Sequence, residues 1–286
     1  MHLKFPIAEA AEHYVFNFYK RQEYEKKIIQ QIESKGQFNL KLYPKEETQE
    51  YYDLVFRNEI YSQAGVKDPF VFNPVKWRLD KKSNIAYVKS KDNMKIAWQR
   101  YKDKYRRPEN IASLLVIERL YFNAPLGFEY SSYSTGPYLP FFINIFDIEL
   151  DSEIVIKGQD WLLIPVNIPV NTHFKCAAIT PDNIILDGWI SLDEEKLDTL
   201  LAKESFRDKA KSYHFSKDFR LISEIKVCID IHTSYLHSAI FKLNIDGEDG
   251  KLKEDMHYEI KRNFDTLAED DNSKIIKGRY RIIDPY

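Results

Sequence analysis

Apolar residues recur at helical spacing in the first sixty positions. Ala8, Ala11, Val15, Phe18 and Tyr19 fall three and four apart, and Ile28, Ile29 and Ile32 carry the stripe towards Gly36. The spacing predicts a helix over 7–35, with Gly36 as its stop. Tyr51, Tyr52, Val55, Phe56 and Ile60 predict a second helix over 45–62, and Gly65, Pro69 and Pro74 then break the pattern. Pro108, at a favoured first-turn position, opens a third helix. Its Ile111, Leu114, Leu115, Glu118 and Phe122 share one stripe. From residue 141 the period becomes two. Phe146, Ile148 and Leu150 alternate with Asp147 and Glu149, and Ile154 and Ile156 with Val155 and Lys157. This predicts a β-hairpin. If Ile148 and Leu150 share a buried face with Ile154 and Ile156, the loop is Asp151 to Glu153. Asp147 then lies opposite Lys157 on the other face, with Glu149 beside it.

Further strands are predicted at 161–165, 174–180 and 184–191, the last two joined by the turn Pro181, Asp182, Asn183. Ser191 and Glu194 have the spacing of a capping box before a helix carrying Leu197, Leu200 and Leu201. Strands at 222–232, 238–245 and 274–283 complete the chain. The expected fold is α+β: a mixed β-sheet flanked by helices, with a helical, partly basic N-terminal region. The expected division is a helical, basic region over 1–107 and a sheet-containing domain with a β-rich extension over 108–286.

Composition adds little to this. The chain has 286 residues, 44% hydrophobic and 14% aromatic, enough for a packed core, and a net charge of -2 that gives no global case for nucleic acid or membrane. Two cysteines, Cys176 and Cys228, are expected as buried thiols. The N-terminus lacks a secretory apolar region, and no apolar run approaches the ~18 residues of a membrane span. A cytoplasmic protein without membrane association is expected.

Local charge is more informative. Residues 76–107 hold twelve Lys and Arg against three Asp, a net charge of +9, with Trp77, Tyr87, Trp98, Tyr101 and Tyr105 interleaved. Cations that neutralise phosphate, with rings that stack on bases, are the materials of a nucleic-acid groove. Arg100, Lys102, Lys104, Arg106 and Arg107 are the candidate contacts. The competing reading is a solvated basic face whose aromatics point into the core. Glu118 is unusual as a carboxylate on an apolar stripe, a position that calls for a cation or a metal. Cys228, Asp230 and His232 on one strand face, with His237, form a weaker metal candidate.

The order of helix with Glu118, strand with Asp147, hairpin, and strand with Lys157 resembles the core of the PD-(D/E)XK nuclease superfamily over roughly 108–190. The resemblance implies that Glu118 and Asp147 bind magnesium, that Lys157 positions the attacking water, and that Gln159 is an accessory polar residue. The family's acid two residues before the lysine is Val155 here, and Glu149 or Glu153 would supply the displaced carboxylate. The implied function is a nuclease-like, DNA-binding protein that hydrolyses phosphodiesters with Mg2+ if catalytic. The alternative is a non-catalytic interaction or adaptor protein on a degenerate nuclease-like scaffold. It would bind a protein partner through a tyrosine-rich surface such as Tyr130, Tyr133 and Tyr138.

Overall fold

The computed structural model describes residues 2–3, 12–43, 51–62, 75–80, 86–89, 91–106, 108, 111, 114, 115, 118, 148–150, 153–162, 167–212, 219–247, 250–263 and 280–282. Strands dominate. They are β1 (His2–Leu3), β2 (Glu12–Tyr24), β3 (Lys27–Tyr43), β4 (Tyr51–Ser62), β5 (Val75–Asp80), β6 (Ala86–Val88), β7 (Ile148–Glu149) and β8 (Ile154–Leu162). The C-terminal half adds β9 (Asn167–Ile179), β10 (Asn183–Leu192), β11 (Arg220–Asp230), β12 (Leu236–Asp246), β13 (Leu252–Arg262) and β14 (Tyr280–Ile282). The helices whose bounds are described are α1 (Lys91–Tyr105), α2 (Glu194–Leu201) and α3 (Glu204–Ser212). One 12-stranded sheet runs in the order β6-β5-β4-β3-β2-β13-β12-β11-β10-β9-β8, with β14 also on β3, and β1 pairs β7 separately. Every pairing is antiparallel.

The expected helix-flanked mixed sheet is therefore corrected to a large antiparallel sheet. The helices expected over 7–35 and 45–62 are strands where described: 12–43 and 51–62 are β2, β3 and β4. In β2 the inward residues are Tyr14, Phe16, Phe18, Lys20 and Gln22. Two polar side chains on the buried face, and Val15 and Tyr19 on the other, blur the period-2 signal that marks a half-buried strand. Residues 51–62 are rich in aromatic and β-branched types, which suit a pleated surface. Strands from both sides of the 107/108 division meet in this one sheet, where β2 pairs with β13.

The hairpin built on 146–159 is also corrected. Ile148 and Glu149 pair with Leu3 and His2, whereas β8 pairs with β9. The apolar pattern was real, since Leu150, Ile154 and Ile156 are all buried. It did not say which strand each one joins. The cap of α2 moves as well: Asp193 accepts from the Lys196 amide at 3.1 Å, while Ser191 belongs to β10.

The inward face forms the core. Tyr258 lies among Phe16, Phe18 and Phe241 with ring centroids 6.1–6.4 Å apart. Each such ring withdrawn from water contributes roughly 1.5–3 kcal/mol. The β2–β13 seam is tied at both ends by charge. Lys20 Nζ lies 2.9 Å from Glu254 Oε1, with both side chains buried. At the other end Arg262 Nε donates to Glu12 Oε2 at 2.5 Å, and Arg262 Nη1 lies 3.3 Å from Asp230 Oδ2. Tyr14 donates from its hydroxyl to the Leu236 carbonyl at 2.9 Å, and burial holds its pKa well above the ordinary phenol range.

Candidate functional site

The outward faces of β8, β9 and β10 carry a connected polar cluster. In β10 the inward Ile184, Leu186, Gly188 and Ile190 alternate with outward Asp187, Trp189 and Ser191. Gly188 allows close strand packing: a Cβ there would stand 2.6 Å from the His173 carbonyl and 2.7 Å from the Phe174 ring. The register sets Trp189 opposite His173, Ser191 opposite Asn171, and Val155 on the other side of His173. His173 and Trp189 stack with centroids 4.9 Å apart and planes 5° from parallel. Lys175 Nζ lies 5.3 Å from the Trp189 ring centre, a cation–π distance.

Hydrogen bonds run through the imidazole. His173 Nδ1 is 3.0 Å from Glu153 Oε1, and His173 Nε2 is 2.8 Å from Ser191 Oγ. An ionised carboxylate only accepts, so in neutral His173 the proton sits on Nδ1 and Nε2 accepts from the serine hydroxyl. Lys175 Nζ, at 3.8 Å, adds a cation beside Glu153. The arrangement can present a stacked aromatic–cationic surface, and it can polarise a hydroxyl. Sequence reasoning singled out Glu153 and missed its partners. Neither His173 nor Ser191 is near it in sequence, and only the β8–β9–β10 register unites them.

Besides Glu153, three of the predicted nuclease residues can be placed among the described residues. Glu118 forms an ion pair with Lys102, beside buried Leu114. Glu149 is exposed on β7, away from the β8–β9 ladder. Lys157 is exposed, at a register shift between Ile156 and Gln159. The side chain of Gln159 lies outside the described residues, as do Asp147, Arg107, Tyr130, Tyr133 and Tyr138. Among the described residues no three His, Cys, Asp or Glu side chains are grouped to hold a metal ion. Asp230 instead caps a turn: its carboxylate accepts from the amides of His232 and Thr233, both at 2.9 Å. Burial raises its pKa, but those bonds and Arg262 outweigh it, and the net shift is downward.

The basic segment divides. Trp77, Trp98 and Tyr101 are buried in the core, as the competing reading expects. Arg78 donates to Asp53 at 2.6 and 2.8 Å, and Lys89 lies 3.1 Å from the same carboxylate. Arg100, Lys104 and Arg106 are exposed. Among the described residues no helix is long and apolar enough to cross a membrane.

No protein-family description and no curated protein matches the chain. Two solved structures show limited likeness. One, on lipid–protein interactions in lipovitellin, is 7% identical with a TM-score of 0.43, and the match covers 96% of this chain but 27% of that one. The other, an N-terminal dehydratase from the difficidin assembly line, is 10% identical with a TM-score of 0.12, over 89% of this chain and 78% of that one. These likenesses are too slight to assign the chain to a family, and the site stands on its own geometry.

Proposed function

We propose that the protein is an interaction protein whose sheet is a scaffold and whose outward face over β8–β10 binds a protein partner. The observation that carries this reading is Trp189, held on the outward face between His173 and Lys175. Trp is enriched at the energetic centres of interfaces. A ring already stacked loses little rotamer freedom on binding. Glu153 and Lys175 supply charges of both signs beside it. Metal-dependent DNA cleavage ranks below this reading, because Glu118 and Glu153 are engaged by cationic or imidazole partners and three of the interleaved aromatics face the core. A cytoplasmic setting is supported by Cys176 and Cys228, both free thiols.

The test is site-directed photo-crosslinking in the native cell. A crosslinking residue in place of Trp189 is compared with one in place of Glu224, exposed on β11. A discrete protein adduct at 189 that is weakened by Lys175→Glu supports the proposal. The same adduct pattern from both positions would sink it.

A further inference from the structure

We propose that Ser191, His173 and Glu153 form a nucleophilic site for acyl transfer from carboxylic esters. This goes beyond the binding reading and does not rest on it. The exposed hydrogen bond between His173 and Glu153 adds little to sheet stability. Together the two bonds place a hydroxyl at one imidazole nitrogen, 2.8 Å away, and an orienting carboxylate at the other, 3.0 Å away. That is the geometry of an activated serine, recognised by roles rather than by order along the chain. Trp189 fixes the plane of the base by stacking. His173 is largely shielded, with a side-chain exposure of 17%, while Glu153 at 38% is open to solvent.

The chemistry balances without a co-reactant other than water. Ser191 Oγ attacks the ester carbonyl carbon while its proton passes to His173 Nε2. The carbon–oxygen bond to the alcohol then breaks, and the imidazolium returns that proton to the leaving oxygen. Water attacks the acyl-serine by the same route, giving the acid and restoring the serine hydroxyl. Glu153 stays ionised and stabilises the imidazolium. Esters rather than amides are the substrate class. A solvent-facing site stabilises a tetrahedral intermediate less than a water-excluded one, and alcohols leave more readily than amines.

The experiment uses the full chain with two probes, an alkyl fluorophosphonate and p-nitrophenyl acetate. The expected result is one phosphonate adduct, on the peptide containing Ser191, formed with loss of fluoride. Ester hydrolysis should fall roughly 100-fold in Ser191→Ala and His173→Ala. Glu153→Gln should lose about 10-fold or more through the wrong tautomer. Labelling the wild-type chain needs no variant, so it decides the matter even where a substitution disturbs folding. No adduct, an adduct on another serine, or a Ser191→Ala rate equal to wild type would overturn the proposal. None of these outcomes bears on crosslinking at Trp189, so the two proposals fail separately.

Discussion

Replacing Lys20 by Met should destabilise the protein strongly, and replacing Glu254 by Leu at the same time should restore it. The pair lies on the inward face of the β2–β13 seam, 2.9 Å apart, with side-chain exposures of 4% and 0%. In the register Glu254 stands opposite Gln22, and Lys20 opposite Met256. Burial pushes the Glu254 pKa up from 4.5 to about 7, against the pull of Lys20. Ionising Glu254 in the folded protein is therefore costly. A raised folded pKa means this contribution to stability is whole below pH ~4.5, is lost as pH rises through ~7, and is flat above. Without Lys20 the carboxylate is buried and unpaired, and the loss should reach ~3–5 kcal/mol. Without either charge, an apolar pair should be neutral or up to ~4 kcal/mol more stable. Guanidinium unfolding of the wild type, both single variants and the double variant, at pH 5 and pH 8, measures all of this. Single-variant effects that simply add, with coupling below ~0.5 kcal/mol, would refute the buried pair. So would wild-type stability that is the same at both pH values.

Other substitutions probe separate parts of the sheet. Gly188→Ala drives a methyl into the His173 carbonyl and the Phe174 ring, and should cost ~1–3 kcal/mol in thermal unfolding. Arg262→Ala leaves Glu12 and Asp230 without their shared cation beside Tyr235, and should cost ~3–5 kcal/mol by urea titration. At Asp53, burial raises the pKa, but hydrogen bonds from Arg78 and Lys89 outweigh it and hold it below the ordinary value. Its contribution is present above the unfolded pKa and lost as pH falls through the folded one. Asp53→Asn should therefore flatten the acid limb of a melting-temperature profile, and an unchanged limb would count against the Arg78–Lys89 clamp.

The strands at 184–191, 222–232 and 238–245 were legible because they alternate cleanly. In β10 every inward residue is apolar or glycine, and the turn at Pro181 to Asn183 is strong. The strand β13 was missed because Glu254 and Arg262 occupy inward positions, where period-2 reading expects apolar residues. Lys20 and Gln22 hid β2 in the same way. Those four residues line the seam, so the charges that tie the sheet are also what obscured it. The Glu153–His173–Ser191 chain was illegible for another reason: it depends on which strands are neighbours, and a local pattern carries no information about pairing partners.

The seam also bears on how the chain reaches its folded state. From β2 to β6, and again from β8 to β13, each strand pairs with its successor along the chain. Such meanders close short loops and can form early and independently. The β2–β13 pairing is different, since Glu12 and Arg262 are 250 positions apart. It forms efficiently only after both meanders exist, when most of the intervening chain is already compact. Until then Lys20 and Glu254 stay hydrated and oppose premature collapse of the two apolar faces onto wrong partners, because burying either charge without the other is costly. The buried pair thus favours one alignment of the two halves, because any other register buries one charge without its partner.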